Sequence, residues 1–364
     1  MWSKLYIILV LLTNVNSYTI GVVTGGGVKR IYDVTGLPVH SIVIKAGEDK
    51  SISCPGVNEH SLVLELEWLS LTGHLSLVEY MSDSTTVWVN QNRISLLSDS
   101  FGLSFHPALA EDSGDYICLV NNRPKPDVLV RLIVQDIPDP PGRPLIMSFT
   151  SRSVNLSWAP SQDTHHSVVT HYIVHTRVGE DGSWNVAEAI LTPDNKTNFQ
   201  VVGLHPYTVY SFRVLAVNEM GASSPSKESY YMVTLREVPT GKPTITTAHN
   251  TSASALHISW RPPHHDTIHG EFLGYRISYR PRDRGPDGIK EIYIRDPSVE
   301  SHTIQNLETY TQYLVSLQVF NPEGPGPSTT VLVMTDEGDN NSSQFQTPRT
   351  YRKESLNTKK VLSL

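Results

Sequence analysis

Cys54 and Cys118 are the only cysteines among the 364 residues, and their chemistry limits what the chain can do. In a protein exported to an oxidising compartment, a single pair of cysteines predicts one disulfide. Two free thiols, or half of a metal site, are the alternatives, although a four-ligand zinc site needs further cysteines or clustered histidines. We therefore predict a Cys54–Cys118 disulfide, no metal site and no cofactor.

Two histidine pairs and one arginine group are the next candidates. His165–His166 and His264–His265 are predicted to be exposed loop residues, with a pH-sensitive contact or weak zinc binding as the alternative. Arg280, Arg282 and Arg284 alternate along one short segment. They are a candidate contact for a glycosaminoglycan or the extracellular matrix, although neighbouring aspartates dilute their charge.

Asparagine supplies five candidate modification sites. An Asn-x-Ser/Thr sequon predicts N-glycosylation in an exported chain, and sequons begin at Asn155, Asn195, Asn250, Asn340 and Asn341.

Motifs for catalysis are not apparent. Gly25, Gly26 and Gly27 lack the Lys-Ser/Thr end of a phosphate loop, and they are predicted to form a flexible leader before the first strand. Neither a nucleophile elbow nor a His-Glu-x-x-His metal motif occurs. We predict that the chain is not an enzyme.

The two ends of the chain differ from its middle. Lys4 precedes an apolar run from Leu5 to Leu12, and residues 1–17 are predicted to be a signal peptide because this run is too short to span a membrane core of about 30 Å. No other stretch predicts a membrane span. Residues 338–364 are polar with a basic end and are predicted to be a disordered tail.

The net charge of −7 argues against a nucleic-acid partner. The predicted location is therefore secreted and extracellular.

The elements that position these residues are predicted to be strands. Trp68 lies between the two cysteines, and Tyr116 stands two residues before Cys118 in the run Asp-Ser-Gly-Asp-Tyr-Ile-Cys. This pattern resembles the immunoglobulin superfamily, in which a disulfide joins two sheets and the Trp packs against it. The resemblance implies that Trp68 and Tyr116 are structural residues, and that Asp112 pairs with an arginine, for which Arg93 is the candidate.

Residues 138–337 contain a repeat with a period near 103. Apolar and polar residues alternate before Trp158 and Trp260, and again after Tyr210 and Tyr313, as in strands. The early Trp, the Leu-to-Tyr corner and the Asn-x-x-Gly turn resemble fibronectin type III domains. Trp158, Tyr210, Trp260 and Tyr313 are thereby implied to be core residues.

These patterns predict an all-β chain of tandem sandwiches. The expected divisions are residues 1–17 (signal peptide), 18–137 (immunoglobulin-like), 138–237 and 238–337 (fibronectin type III), and 338–364 (tail). The domain order resembles adhesion proteins such as neogenin, sidekick and the Down syndrome cell adhesion molecule. It implies a secreted recognition protein that binds a cell-surface partner, with a member of the immunoglobulin superfamily as the expected partner class. A matrix component and a soluble decoy of a longer transmembrane receptor are the alternatives.

Overall fold

The fold is almost entirely β, which confirms the predicted fold class. The computed structural model describes residues 19–23, 29–58, 60–82, 84–89, 92–121, 123 and 125–338. It divides into two compact units, with the boundary between Leu235 and Arg236. The first unit holds the first domain, which precedes the repeats, together with the first repeat, and the second unit holds the second repeat. The predicted signal peptide and all of the tail after residue 338 lie outside the described residues.

The first domain is a sandwich of two sheets. Its strands are β1 (Thr19–Val23), β2 (Lys29–Asp33), β3 (Val39–Lys45), β4 (Lys50–Ile52), β5 (Glu65–Ser70), β6 (Leu75–Met81), β7 (Ser84–Val87), β8 (Ile94–Leu96), β9 (Leu103–Phe105), β10 (Gly114–Val120) and β11 (Leu129–Gln135). The larger sheet has the order β2-β1-β6-β5-β10-β11-β3, with β7 also paired to β6, and the smaller sheet has the order β4-β9-β8. Strands β3 and β11 are parallel, and the other long pairs are antiparallel.

The hairpin of β1 and β2 was not expected from the sequence. It flanks the run Gly25–Gly27, so this run follows a strand and the predicted leader before the first strand is corrected. Glycine-rich runs occur both in leaders that precede the first strand and in connections between short strands. The sequence pattern alone does not distinguish these two possibilities.

The first fibronectin-type repeat is a second sandwich. Its strands are β12 (Leu145–Phe149), β13 (Ser153–Ser157), β14 (His171–Val178), β15 (Trp184–Leu191), β16 (Asn198–Val202), β17 (Val209–Asn218), β18 (Gly221–Ala222) and β19 (Met232–Val233). One sheet has the order β12-β13-β16. The other has the order β15-β14-β17-β18, with β19 also paired to β17.

The second repeat has the same two-sheet plan. Its strands are β20 (Thr244–Ser252), β21 (Ala255–Arg261), β22 (Gly274–Pro281), β23 (Lys290–Ile294), β24 (Ser301–Ile304), β25 (Gln312–Asn321), β26 (Gly324–Pro325) and β27 (Thr329–Met334). The sheets have the orders β20-β21-β24 and β23-β22-β25-β26, with β27 also paired to β25.

Each repeat is centred on a buried tryptophan. Trp158 meets the edge of Tyr172 with ring centroids 5.2 Å apart, and Trp260 lies 5.1 Å from Tyr275. These side chains point inward because alternate residues of a strand face the same side of the sheet.

Buried tyrosines tie the corner of each repeat. The hydroxyl of Tyr210 accepts a hydrogen bond from the backbone N–H of His205 at 3.0 Å, and that of Tyr313 accepts one from Glu308 at 2.9 Å.

Asn218 and Asn321 hold the segment that enters each repeat. The Nδ2 of Asn218 donates to the backbone carbonyl of Asp136 at 2.7 Å, and the Nδ2 of Asn321 donates to that of Glu237 at 2.6 Å. The Oδ1 of Asn218 accepts from Met220 N at 2.8 Å, and Asn321 repeats this turn with Glu323. Both asparagines are buried, so each one joins the incoming segment to the end of a central strand.

Candidate recognition surface

The disulfide of the first domain lies in its core. Cys54 and Cys118 are bonded, with their Cα atoms 5.6 Å apart. Trp68 is buried beside them on β5, and its Nε1 donates to the carbonyl of Phe101 at 3.0 Å. These sulfur atoms are therefore unavailable as metal ligands or nucleophiles.

An ion pair braces the end of the same domain. Arg93 donates to both carboxylate oxygens of Asp112, at 2.8 and 3.1 Å. The hydrogen bond to Asp112 raises the pKa of the Arg93 guanidinium. The hydroxyl of Tyr116 donates to the Asp112 backbone carbonyl, and burial raises the pKa of that hydroxyl. This cluster is structural, because its charges face one another.

The outer face of the larger sheet is covered by the chain itself. Strand β10 buries four consecutive side chains, residues 116–119, whereas a sandwich strand with one face in water buries every second one. The cover is residues 31–37, which we call the strap. Its Tyr32 and Val34 are buried, with Leu37 packed beside them. The apolar face beneath the strap is formed by Leu69, Leu71, Ile117, Leu119 and Leu129.

A cleft of about 460 Å³ opens beside the strap. The strap side of the cleft is formed by Ile31 and Tyr32, and the sheet side includes Glu67 and Glu79, which are direct partners in the β5–β6 ladder. Arg123 also lines the cleft, so acidic and basic residues both border it.

A ladder of arginines and aromatic rings covers one face of the first repeat. The guanidinium carbons of Arg177 and Arg213 lie 4.7 and 4.6 Å from the ring centroid of Trp184. Arg177 also lies over Tyr231, donates to its hydroxyl at 3.0 Å and pairs with Glu228 at 2.8 Å. The sequence did not reveal this ladder, because strands β14, β15 and β17 and the segment before β19 each supply one part of it.

Arg213 is the less compensated cation of the ladder. Its Nε donates to Nδ1 of His175 at 3.2 Å, and burial together with the nearby Arg177 lowers the pKa of Arg213. Burial, followed by the charge of Arg213, lowers the pKa of His175. Both causes favour the neutral form of His175 beside Arg213.

Strand β12 carries exposed apolar side chains at the edge of its sheet. Leu145, Met147 and Phe149 are 54%, 66% and 40% exposed. The strand in the same place in the second repeat, β20, exposes Thr247 and Thr251 instead. Exposed apolar groups at a sheet edge are typical of contact surfaces between proteins.

The arginine segment of the second repeat is largely satisfied within the chain. Arg284 pairs with Glu308 at 2.7 Å, and Arg282 donates to Gln312 at 2.7 Å. Arg280 donates to the backbone carbonyl of Arg284. This arrangement offers a polysaccharide less free positive charge than the sequence predicts.

The histidine pairs occupy loops. His165 lies 3.5 Å from a carboxylate oxygen of Asp139 and 3.6 Å from one of Asp163, and His166 is exposed. The pair His264–His265 is also exposed. Within the described ranges, no group of three or more His, Cys, Asp or Glu residues has an arrangement that could hold a metal ion.

Three of the predicted sequons fall on described residues. Asn155 is exposed on β13, and its Nδ2 donates to Ser148 Oγ at 2.8 Å, beside the apolar edge strand. Asn195 is exposed, and Asn250 is half-buried on β20. Asn340 and Asn341 lie outside the described residues.

Comparison with known families defines the class of the protein. The model of the family "Fibronectin type III domain" matches residues 139–231 and 241–335, together more than half of the chain. The chain belongs to the fibronectin type III family.

Three relatives narrow this class. The chain is 59% identical over 310 residues to "Putative receptor-type tyrosine-protein phosphatase mosPTP-1" of Aedes aegypti, over 85% of the chain and 23% of that protein. It is 30% identical over 248 residues to "Cell adhesion molecule Dscam1" of Drosophila melanogaster, over 65% of the chain and 12% of the relative. It is 32% identical over 217 residues to "Protein sidekick-2" of Mus musculus, over 53% of the chain and 10% of the relative. The likeness to sidekick and Down syndrome cell adhesion molecule proteins is thus confirmed, and the chain spans less than a quarter of the length of each of these relatives.

The likeness to mosPTP-1 overturns one prediction. We expected a protein that is not an enzyme, but this relative is named as a phosphatase and points to an enzyme family. The sequence motifs missed this because they were sought only within a chain that matches 23% of that protein. Among the described residues, no helix has the length and apolar character needed to cross a membrane.

Proposed function

We propose that the chain supplies the extracellular recognition domains of a receptor-type tyrosine-protein phosphatase and binds a protein partner on a cell surface. The observation that carries the proposal is the 59% identity to mosPTP-1 over 85% of the chain. Likeness to an adhesion molecule over 65% of the chain supports the extracellular part of the proposal. A partner from the immunoglobulin superfamily is the first class to test.

The apolar edge of the first repeat is the surface that we propose meets the partner. Met147 is the most exposed of its three apolar side chains. A polar partner gains little from such a surface, whereas apolar side chains of a protein interface lose contact with water there. Asn155 lies on β13 and donates to Ser148 on β12, the strand that carries Met147. A glycan at Asn155 would therefore limit the approach of a partner to one side of β12.

The test is a binding assay with the chain fused to a reporter. We expect the wild-type fusion to label cells that display immunoglobulin-superfamily proteins, and Met147→Asp to lower labelling about tenfold, since one charge buried in an apolar interface costs this much or more. Thr247→Asp, on the exposed side of β20 in the second repeat, is the matched control and should label as wild type. Equal loss in both variants, or no labelling by the wild type, would contradict the proposed recognition surface.

Location is tested separately by fractionation. We propose that the signal peptide predicted at residues 1–17 directs the chain to the cell exterior. Glycosylated protein in the medium is expected for a released form such as a decoy, and recovery by detergent for a form held at the membrane. Release by salt would favour the matrix alternative. Protein confined to the cytosol with reduced Cys54 and Cys118 would refute an extracellular role.

A further inference from the structure

Arg213 lies within the ladder of arginines and aromatic rings on the first repeat. On β17 it is directly opposite His175 of β14. Its guanidinium carbon lies 4.6 Å from the ring centroid of Trp184, and its Nε donates to Nδ1 of His175 at 3.2 Å. Because an arginine can only donate, Nδ1 of His175 accepts this bond, and His175 supplies no negative charge to Arg213.

The stacked guanidinium still has donors to offer. Stacking on Trp184 uses the flat face of the group, whereas its N–H donors lie in the plane, at the edge. His175 takes one side of that edge, through Nε. Within the part of the chain that the structure describes, neither Nη1 nor Nη2 of Arg213 makes a hydrogen bond. This pair of nitrogens matches the two oxygens of a carboxylate that approaches end-on.

The charge of Arg213 is not cancelled by its neighbours. Arg177 and Arg213 both lie near Glu228, and it is Arg177 that pairs with this carboxylate, at 2.8 Å. Arg177 also donates to Ser211 and to Tyr231. Burial, followed by the charge of Arg177, lowers the pKa of Arg213. A carboxylate placed at Arg213 would therefore relieve an unfavourable positive charge.

The surroundings of Arg213 favour a protein over a polysaccharide. Trp184 and Tyr231 belong to the same ladder, and Tyr231 is 47% exposed. Arginine, tryptophan and tyrosine are enriched at the centre of protein interfaces. A polysulfated chain needs several free cations in a row, whereas the loop between β14 and β15 exposes Glu180 and Asp181 instead.

We propose that Arg213 receives an aspartate or glutamate side chain of a protein partner, which binds end-on through Nη1 and Nη2 beside the ring of Trp184. The inference rests on the proposed function for the existence of a protein partner. It adds a surface on the sheet of the repeat that does not contain β12. A charge-assisted hydrogen bond of this kind changes affinity by about tenfold or more.

A peptide titration tests the site without the partner. The probes are acetyl-Gly-Glu-Gly-amide and its glutamine counterpart, added to the full chain. The readout is the NMR signal of the Trp184 indole N–H, assigned by its absence from Trp184→Leu. We expect the glutamate peptide to shift this signal saturably, and the glutamine peptide to need on the order of tenfold higher concentration. Equal shifts by both peptides, or a shift by neither, would overturn the proposal.

Two substitutions assign the effect to Arg213. Arg213→Gln should remove the shift caused by the glutamate peptide, and Arg213→Lys, which keeps the charge but loses the planar fork, should weaken binding. Arg295→Gln, at an exposed arginine of the second repeat, removes the same charge and should behave as the wild type does. Near-UV circular dichroism checks that each variant is folded.

Three outcomes of these titrations would refute the site. Peptide binding that survives in Arg213→Gln, or that is unchanged in Arg213→Lys, would show that the fork of Arg213 is not the receptor. A heparin tetrasaccharide that shifts the Trp184 signal at lower concentration than the glutamate peptide would replace the protein carboxylate by a polysaccharide.

Cell labelling then tests the site with the partner. In the reporter fusion, Arg213→Gln should lower labelling about tenfold, while Arg295→Gln labels as the wild type does. Unchanged labelling by Arg213→Gln would overturn the proposal. If the wild type labels no cells, the proposed function fails, and the peptide titration alone decides on the site.

Discussion

The two fibronectin-type repeats have the same strand order but hold their arginines in different ways. In the first repeat, Arg177 and Arg213 lie over Trp184. In the second, Arg276 pairs with Glu291, and Arg284 with Glu308. Stacking on a ring leaves the positive charge in place, whereas pairing with a carboxylate cancels it. Arg177 also pairs with Glu228, and Arg276 also lies over the ring of Tyr293. The difference between the repeats therefore rests on Arg213, which stacks on Trp184 and donates to His175.

The largest expected effect tests the shared part of the comparison. Trp158→Ala and Trp260→Ala should each cost about 3–5 kcal/mol of the free energy of unfolding of its own repeat, because each leaves a cavity in an apolar core. Denaturant unfolding followed by hydrogen exchange of β17 and β25 amides separates the two repeats. A cost below 1 kcal/mol in one repeat only would show that the two cores are not equivalent.

The next effect tests the buried asparagines. Asn218→Ala and Asn321→Ala should each cost about 1–3 kcal/mol, since each removal leaves buried backbone groups without a partner. Asn198→Ala, at an exposed position on β16, is the control and should unfold as the wild type does. If Asn198→Ala cost as much as the two test variants, the loss of stability would not come from the hydrogen bonds of Asn218 and Asn321.

Salt separates the two ways of holding arginine. Trp184→Leu should cost about 1–2 kcal/mol, because two guanidinium–ring contacts are lost, and the loss should persist in 1 M NaCl. Glu291→Gln should cost less, and its effect should disappear in 1 M salt, as expected of an exposed ion pair. If the stability lost in Trp184→Leu and in Glu291→Gln depended equally on salt, ring stacking and ion pairing would not be different ways of holding these arginines.

The smallest effect is a dependence on pH. Burial and Arg213 lower the pKa of His175 below its ordinary value of 6.5, so the unfolded chain binds a proton more readily. The first repeat should keep its full stability above pH 6.5 and lose stability as the pH falls below it. His175→Gln should flatten this profile, as measured by unfolding at several pH values. A profile that His175→Gln leaves unchanged would assign the effect to another group.

The sequence predicted the features that recur or that follow a family pattern. The positions of Trp68 and Tyr116 relative to the cysteines resemble those in the immunoglobulin superfamily, and the period near 103 marks two copies of one fold. The ladder escaped prediction because Arg177, Trp184 and Arg213 come from three strands that meet only after folding. The strap escaped because its apolar residues, Tyr32 and Val34, are few and follow a glycine-rich run.

The arginine segment of the second repeat shows that the sequence can also suggest free charge that the folded chain does not have. Arg282 and Arg284 look like free charge in the sequence, yet Gln312 and Glu308 reach them across the sheet. Local composition reports charge, but the partners of that charge are set by strand pairing.

Asn218 and Asn321 have a mechanical consequence. A pull on the chain where it enters a repeat is carried by the covalent chain into the edge strand and, at the same time, by one hydrogen bond into the end of a central strand. Tension at Asp136 or Glu237 is thus divided between an edge strand and a central strand before any β-ladder is sheared. Each repeat thus has two routes by which a load applied where the chain enters it reaches the sheets.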